Sequence, residues 1–171
     1  MRFILIGAMA CAVVLPAGIQ RSGLLMNYSD SVPLGLYRRV PAKSANRATS
    51  YAGFCLPRAT ANAAIQAGLE VVPGDCADGL APVLKPVICP SPQHPLIYDA
   101  RGFSFNGKLL PNSAPKPQSR TGVQLEHYAF GAYASGTWAV SDFNPNSYDS
   151  RYFGPVAPDA IRFYAKPVWT W

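Results

Sequence analysis

Charge is scarce in this chain. Of its 171 residues only 14% are charged against 49% hydrophobic, which excludes a disordered, highly charged chain and suggests contact with a membrane. Lys and Arg outnumber Asp and Glu by 15 to 9, yet Arg38-Arg39 is the only adjacent basic pair. Without basic residues interleaved with aromatics, the net charge of +6 does not describe a nucleic-acid module, and no nucleic-acid partner is expected. No cysteine pair has the CxxC spacing, and His94 and His127 are far from any cysteine in sequence, so the familiar zinc frameworks are missing and no metal is expected. There is no internal repeat. Long helices are scarce too, because 17 Pro and 14 Gly cut the chain into short pieces that suit strands and loops.

What is present begins with a charge-free apolar run, Phe3 to Ile19, between Arg2 and Arg21. As a helix it would span about 25 Å, slightly under a ~30 Å hydrocarbon core. It reads as a cleaved signal or a short retained anchor over residues 1–20, with a buried core helix as the rival. Either membrane reading places residues 27–171, taken as one domain, outside the cytoplasm.

Strands are expected over Gly35–Val40, Tyr51–Leu56, Val83–Cys89, Leu96–Asp99, Gly102–Phe105, Gly136–Val140 and Ala160–Trp169. Asn106-Gly107 is a strong hairpin turn signal ahead of Lys108-Leu109-Leu110. Ala59–Leu69, closed by Gly68, is the one helix candidate after the leader, while Pro111–Thr121 and Ser141–Gly154 read as loops. The fold class is therefore mainly β with one short helix. Cys11 lies in the leader; in an oxidising compartment Cys55, at a strand end, and Cys76, in a loop, are the disulfide candidates, leaving Cys89 as a free thiol buried in its strand.

Ser31 stands in a compact turn segment, Asn27 to Val40, with Pro33 and Gly35 close behind it. A serine nucleophile needs a base. His94 sits between prolines and His127 follows Glu126 away from any turn signature, so both read as surface histidines. Lys85 is the other candidate: in Pro82-Val83-Leu84-Lys85-Pro86-Val87-Ile88 its amine is surrounded by apolar residues, and burial favours the neutral, basic form. An edge-strand lysine guarding against aggregation explains the same frame equally well.

Three segments bear on that choice. Ser29-Asp30-Ser31-Val32-Pro33-Leu34-Gly35-Leu36-Tyr37 resembles the nucleophile segment of type I signal peptidases, and its Ser-x-Pro-x-Gly-Leu-Tyr form resembles the conjugative-transfer (TraF-type) members. Leu84-Lys85-Pro86-Val87 is similar to that family's lysine strand. Ser147-Tyr148-Asp149-Ser150-Arg151-Tyr152-Phe153-Gly154-Pro155-Val156 is similar to its late Ser-x-Asp-Ser-Arg-x-x-Gly-x-Val box. The chain departs from the family where Ile88-Cys89-Pro90-Ser91-Pro92 replaces a Leu-Pro-Gly-Asp turn and where Ser141 to Asn146 replaces a Gly-Asp-Asn-Arg element.

The resemblance implies a signal-peptidase/LexA-like coiled antiparallel β-sheet domain behind an N-terminal membrane helix, with no cofactor. It implies Ser31 as nucleophile, Lys85 as general base, Ser29 and the Ser31 backbone N–H as oxyanion donors, and Asp149, Ser150 and Arg151 as supports of the lysine region. Pro33 and Gly35 would form the turn that aims the serine. The implied activity is a serine endopeptidase that removes the leader of an exported, pilin-like precursor, with hydrolysis or cyclisation as the outcome. The expected location is the bacterial inner membrane, with the catalytic domain facing the periplasm and other conjugative transfer proteins as partners. A non-enzymatic, membrane-anchored assembly subunit is the alternative from another class. A self-cleaving repressor-like protease would share the dyad but lacks room for a DNA-binding region.

Overall fold

The computed structural model describes residues 23–41 and 51–171. The membrane helix expected over 1–20 lies outside them, and among the described residues no helix is long and apolar enough to cross a membrane.

Short alternating segments punctuated by Pro and Gly give two antiparallel sheets. The first holds six strands in the order β1 (Leu24–Asn27), β2 (Gly35–Val40), β10 (Ile161–Thr170), β3 (Tyr51–Phe54), β4 (Val83–Ile88) and β9 (Trp138–Ala139). The second runs β7 (Lys108–Leu109), β6 (Gly102–Phe105), β5 (Leu96–Asp99) and β8 (Gly131–Tyr133). Asn106 and Gly107, at φ 51° and 76°, make the tight β6–β7 turn that their dipeptide demands.

Helix α1 (Arg58–Gln66) buries only Ala61 and Ala64, and ends where Gly68 takes φ 94°. The segment from Ser141 to Gly154 is a loop as expected, apart from a one-turn helix, α2 (Ser150–Phe153), but it is not a solvated one: Ser141, Ser147, Asp149, Ser150 and Arg151 are all buried. Its polar composition reflects internal hydrogen bonding rather than solvation.

Three apolar clusters pack the strands. Ala52, Phe54, Val87, Ala139 and Val156 pack across β3, β4 and β9. Val32, Tyr37, Leu84 and Ala165 tie the Ser31 turn to the sheet, and Trp138 with Tyr98 and Phe103 joins the second sheet to the first. Cys55 and Cys76 form a disulfide. Cys89 is a free, half-buried thiol one residue beyond β4, 3.7 Å from Thr137 Oγ1.

Candidate active site

Lys85 lies at the centre of an interior strand. β4 pairs with β3, setting Ala52 across from Lys85, and with β9 through Val87 and Ala139, so the edge-strand explanation of this lysine does not hold. Alternation puts its side chain on the face shared with Val83 and Val87. Only 1% of Lys85 is exposed. Burial, as the largest influence, lowers its pKa to about 8; Arg151 pushes in the same direction, while Asp149 and Asp30 oppose it.

Ser31 comes from the turn between β1 and β2. Its Oγ accepts a hydrogen bond from Lys85 Nζ at 2.5 Å, and Ser147 Oγ accepts a second from the same amine at 2.8 Å. The turn is shaped by Asn27, whose Nδ2 donates to the carbonyls of Ser29, Val32 and Pro33 and whose Oδ1 accepts from the Ser29 N–H and hydroxyl. Tyr37 donates its hydroxyl to the Pro33 carbonyl at 2.7 Å. Gly35 is required where it stands: at φ 141°, an added Cβ would fall on the Trp169 carbonyl and Thr170 backbone.

The late segment holds the other side of the pair. Arg151, fully buried, donates Nε to Asp149 Oδ1 at 2.8 Å and Nη2 to Oδ2 at 2.9 Å. Its remaining N–H groups hold the carbonyls of Asn112, Pro145 and Ser147, at 2.8, 3.1 and 2.8 Å. Asp149 also accepts from the Ser141 N–H at 3.0 Å, and Ser150 Oγ accepts from the Ala139 N–H at 2.8 Å. Ser141 Oγ in turn donates to the Ser31 carbonyl at 2.6 Å. Asp149, Ser150 and Arg151 therefore sit in a buried network that reaches Ser31 through Ser141 and Lys85 through Ser147. All three are fully buried.

Ser29 is brought beside the turn with its hydroxyl on Asn27 Oδ1 at 3.0 Å. The histidines lie elsewhere: His94 is exposed beside Asn106, and His127 stacks on Phe130. Among the described residues no group of three or more His, Cys, Asp or Glu side chains is placed to hold a metal ion.

Sequence reasoning missed Asn27, Ser141 and Ser147. Ser147 had a signal, since it opens the late box; Asn27 and Ser141 are single polar residues whose partners become visible only in three dimensions.

Two cavities meet at Tyr28, Ser29 and Ser31. One, of about 240 Å³, is polar, with Asp30, Arg120, Asn144 and Asn146 in its wall. The other, of about 290 Å³, is largely apolar, with Leu25, Val71, Val72, Ala81 and Phe163. Leu69 and Glu70 border both.

These features define an antiparallel β domain with a buried serine–lysine pair at the junction of two cavities. The chain is 32% identical to a plasmid transfer protein TraF of Escherichia coli over 94% of its own length and 90% of that protein's. To a second Escherichia coli plasmid transfer protein TraF it is 32% identical, over 99% and 96%. It is 28% identical to a conjugal transfer protein TraF of Agrobacterium tumefaciens, over 97% and 93%. It belongs to the TraF family of conjugal transfer proteins. No family model matches it, and no solved structure does.

Proposed function

We propose that this conjugal transfer protein is a membrane-associated serine endopeptidase that removes the leader from an exported, pilin-like precursor. The observation that carries the reading is the 2.5 Å contact between Ser31 Oγ and the wholly buried Lys85 Nζ. A lysine whose pKa falls to about 8 is partly neutral near pH 7 and can accept a proton.

Neutral Lys85 takes the Ser31 hydroxyl proton as Oγ attacks the scissile carbonyl. The Ser29 hydroxyl, turned from Asn27, and the Ser31 backbone N–H hold the oxyanion. The carbon–nitrogen bond breaks, the proton passes from Lys85 to the leaving amine, and an ester to Ser31 remains. Water then resolves that ester to give a linear product, or an amine of the same substrate does so to give a cyclic one. The apolar leader, retained, keeps Ser31 near the outer face of the inner membrane: it ends about twelve residues before the nucleophile, a reach of at most ~40 Å. The catalytic domain then faces the periplasm, among other transfer proteins.

The test is mass spectrometry of the precursor after incubation with the purified full chain. Wild type releases the leader at a single bond and leaves a linear or cyclic product, whereas Ser31→Ala leaves the precursor whole. Equal release by the Ser31→Ala chain assigns the cleavage to another agent and favours the assembly-subunit reading.

A further inference from the structure

Outside the Ser31 turn, the only residues that border both cavities, Leu69 and Glu70, belong to one segment, 67–82, between α1 and β4, which also lends Ala67 and Gly68 to the polar cavity and Val71, Val72, Ala81 and Pro82 to the apolar one. This wall is held by little. From Ile65 to Val83 only Cys76 is buried, and Val72 is 63% exposed. The helix before it buries two alanines and has no side-chain N-cap. Beyond Leu69 the wall folds on itself, through Ala81 N–H to the Val72 carbonyl, Gly74 N–H to the Gly79 carbonyl, and Cys76 N–H to the Leu80 carbonyl. These bonds shape a small hairpin but do not attach it to the sheet. Thr121 holds the start of the wall, with its hydroxyl on the Gln66 carbonyl at 2.9 Å, and the far part is attached by Cys76, joined to Cys55 directly after β3, the strand that pairs with β4 and sets Ala52 against Lys85.

We infer that the Cys55–Cys76 disulfide is a positioning device for substrate binding: it fixes the 67–82 wall over the cleft, while Ser31 and Lys85 are organised without it. The second half follows from the site itself, because among the described residues both hydrogen bonds that Lys85 Nζ donates, and the bonds that set the Ser31 turn, involve partners outside 55–82. The inference rests on the peptidase reading for its kinetic consequence but not for its structural one. Thiol–disulfide exchange with dithiothreitol moves two electrons and two protons to the bond, leaving two protein thiols and the cyclic disulfide of the reagent. In that form the wall is tied to the domain, among the described residues, through its chain ends and the contact of Thr121 with Gln66 and Gly68 at its start.

The experiment compares the full chain in three forms, all in a Cys89→Ser background: the intact disulfide, the dithiothreitol-reduced protein, and the Cys55→Ser/Cys76→Ser chain. Cleavage of a labelled peptide covering the precursor's leader junction is expected to show KM raised about fivefold or more in the last two forms with kcat within about twofold, the signature of lost binding. Hydrogen exchange is expected to accelerate about tenfold or more over 67–82 and to stay unchanged over 83–88, as for a locally released unit. Unchanged KM and unchanged exchange in the 67–82 segment overturn the inference. So does a fall in kcat with protection lost over 83–88, which would make the bond a support of the dyad strand. Should the intact protein cleave nothing, the peptidase reading fails instead. Exchange, with binding of the same peptide to the Ser31→Ala chain, then decides the role of the disulfide alone.

Discussion

Lys85 Nζ donates to Ser147 Oγ at 2.8 Å while it also faces Ser31 Oγ at 2.5 Å. The amine is thus held from two directions. Ser147 is itself fixed through its carbonyl, which accepts from Arg151 Nη2 at 2.8 Å. Removing the Ser147 hydroxyl leaves a buried amine free to turn from Ser31 Oγ, the proposed nucleophile. A hydrogen bond to the neutral amine contributes roughly 0.5–1.5 kcal/mol, so Ser147→Ala should lower kcat about 2- to 10-fold. KM should stay near wild type and Ser147→Thr should recover part of the loss, as steady-state kinetics on the precursor peptide will show.

The pH dependence of kcat/KM follows from Lys85. In the proposed mechanism its neutral form is the base, so activity should rise with pH and reach half its maximum at about pH 8. The exposed Asp30 carboxylate favours the charged amine, so Asp30→Asn should move the whole profile to lower pH.

Stability should respond in the same window. Because the folded-state pKa of Lys85 is depressed from 10.5 to about 8, the unfolded chain binds more protons between those values. Stability contributed by this group is therefore lowest below pH 8 and recovers as pH rises towards 10.5. Denaturant titrations should show wild type gaining over this range relative to Lys85→Met, which cancels the common contribution of the tyrosines. Parallel curves for the two chains would contradict the shift.

Asp149 and Arg151 form a fully buried pair. Losing the carboxylate leaves a buried guanidinium uncompensated, so Asp149→Asn should cost about 3–5 kcal/mol, read as a lowered denaturation midpoint. Because Asp149 also accepts the Ser141 N–H, the variant that folds at low temperature should process slowly as well.

Much of the β architecture was legible because its signals are local. Gly35–Val40, Leu96–Asp99 and Gly102–Phe105 are strands with the expected bounds, since alternation and the flanking Gly and Pro are short-range properties. Val83–Cys89 ends one residue earlier, and Gly136–Val140 shrinks to Trp138–Ala139 because Gly136 takes φ 91°. Whether Lys85 belonged to an edge or an interior strand was not legible. That depends on β3 and β9, which lie far from it along the chain, and an apolar frame around a lysine is common to both cases. The late segment is a loop as expected up to Asp149, but its burial was not legible for a related reason: serines bonded to Lys85, Ser31 and Ala139 inside the fold have the same composition as solvated ones. Ser31 could be marked from its turn and its resemblance, but the Asn27 amide that shapes that turn has no local pattern.

Lys85 is the residue without which the proposed dyad has no base. Processing of the pilin-like precursor should be followed by immunoblot in cells that carry the chain as wild type, Ser31→Ala or Lys85→Ala at matched levels. Accumulation of full-length precursor in both variants, with mature product only in wild type, is the predicted result. Normal maturation by the Lys85→Ala chain would contradict a serine–lysine dyad.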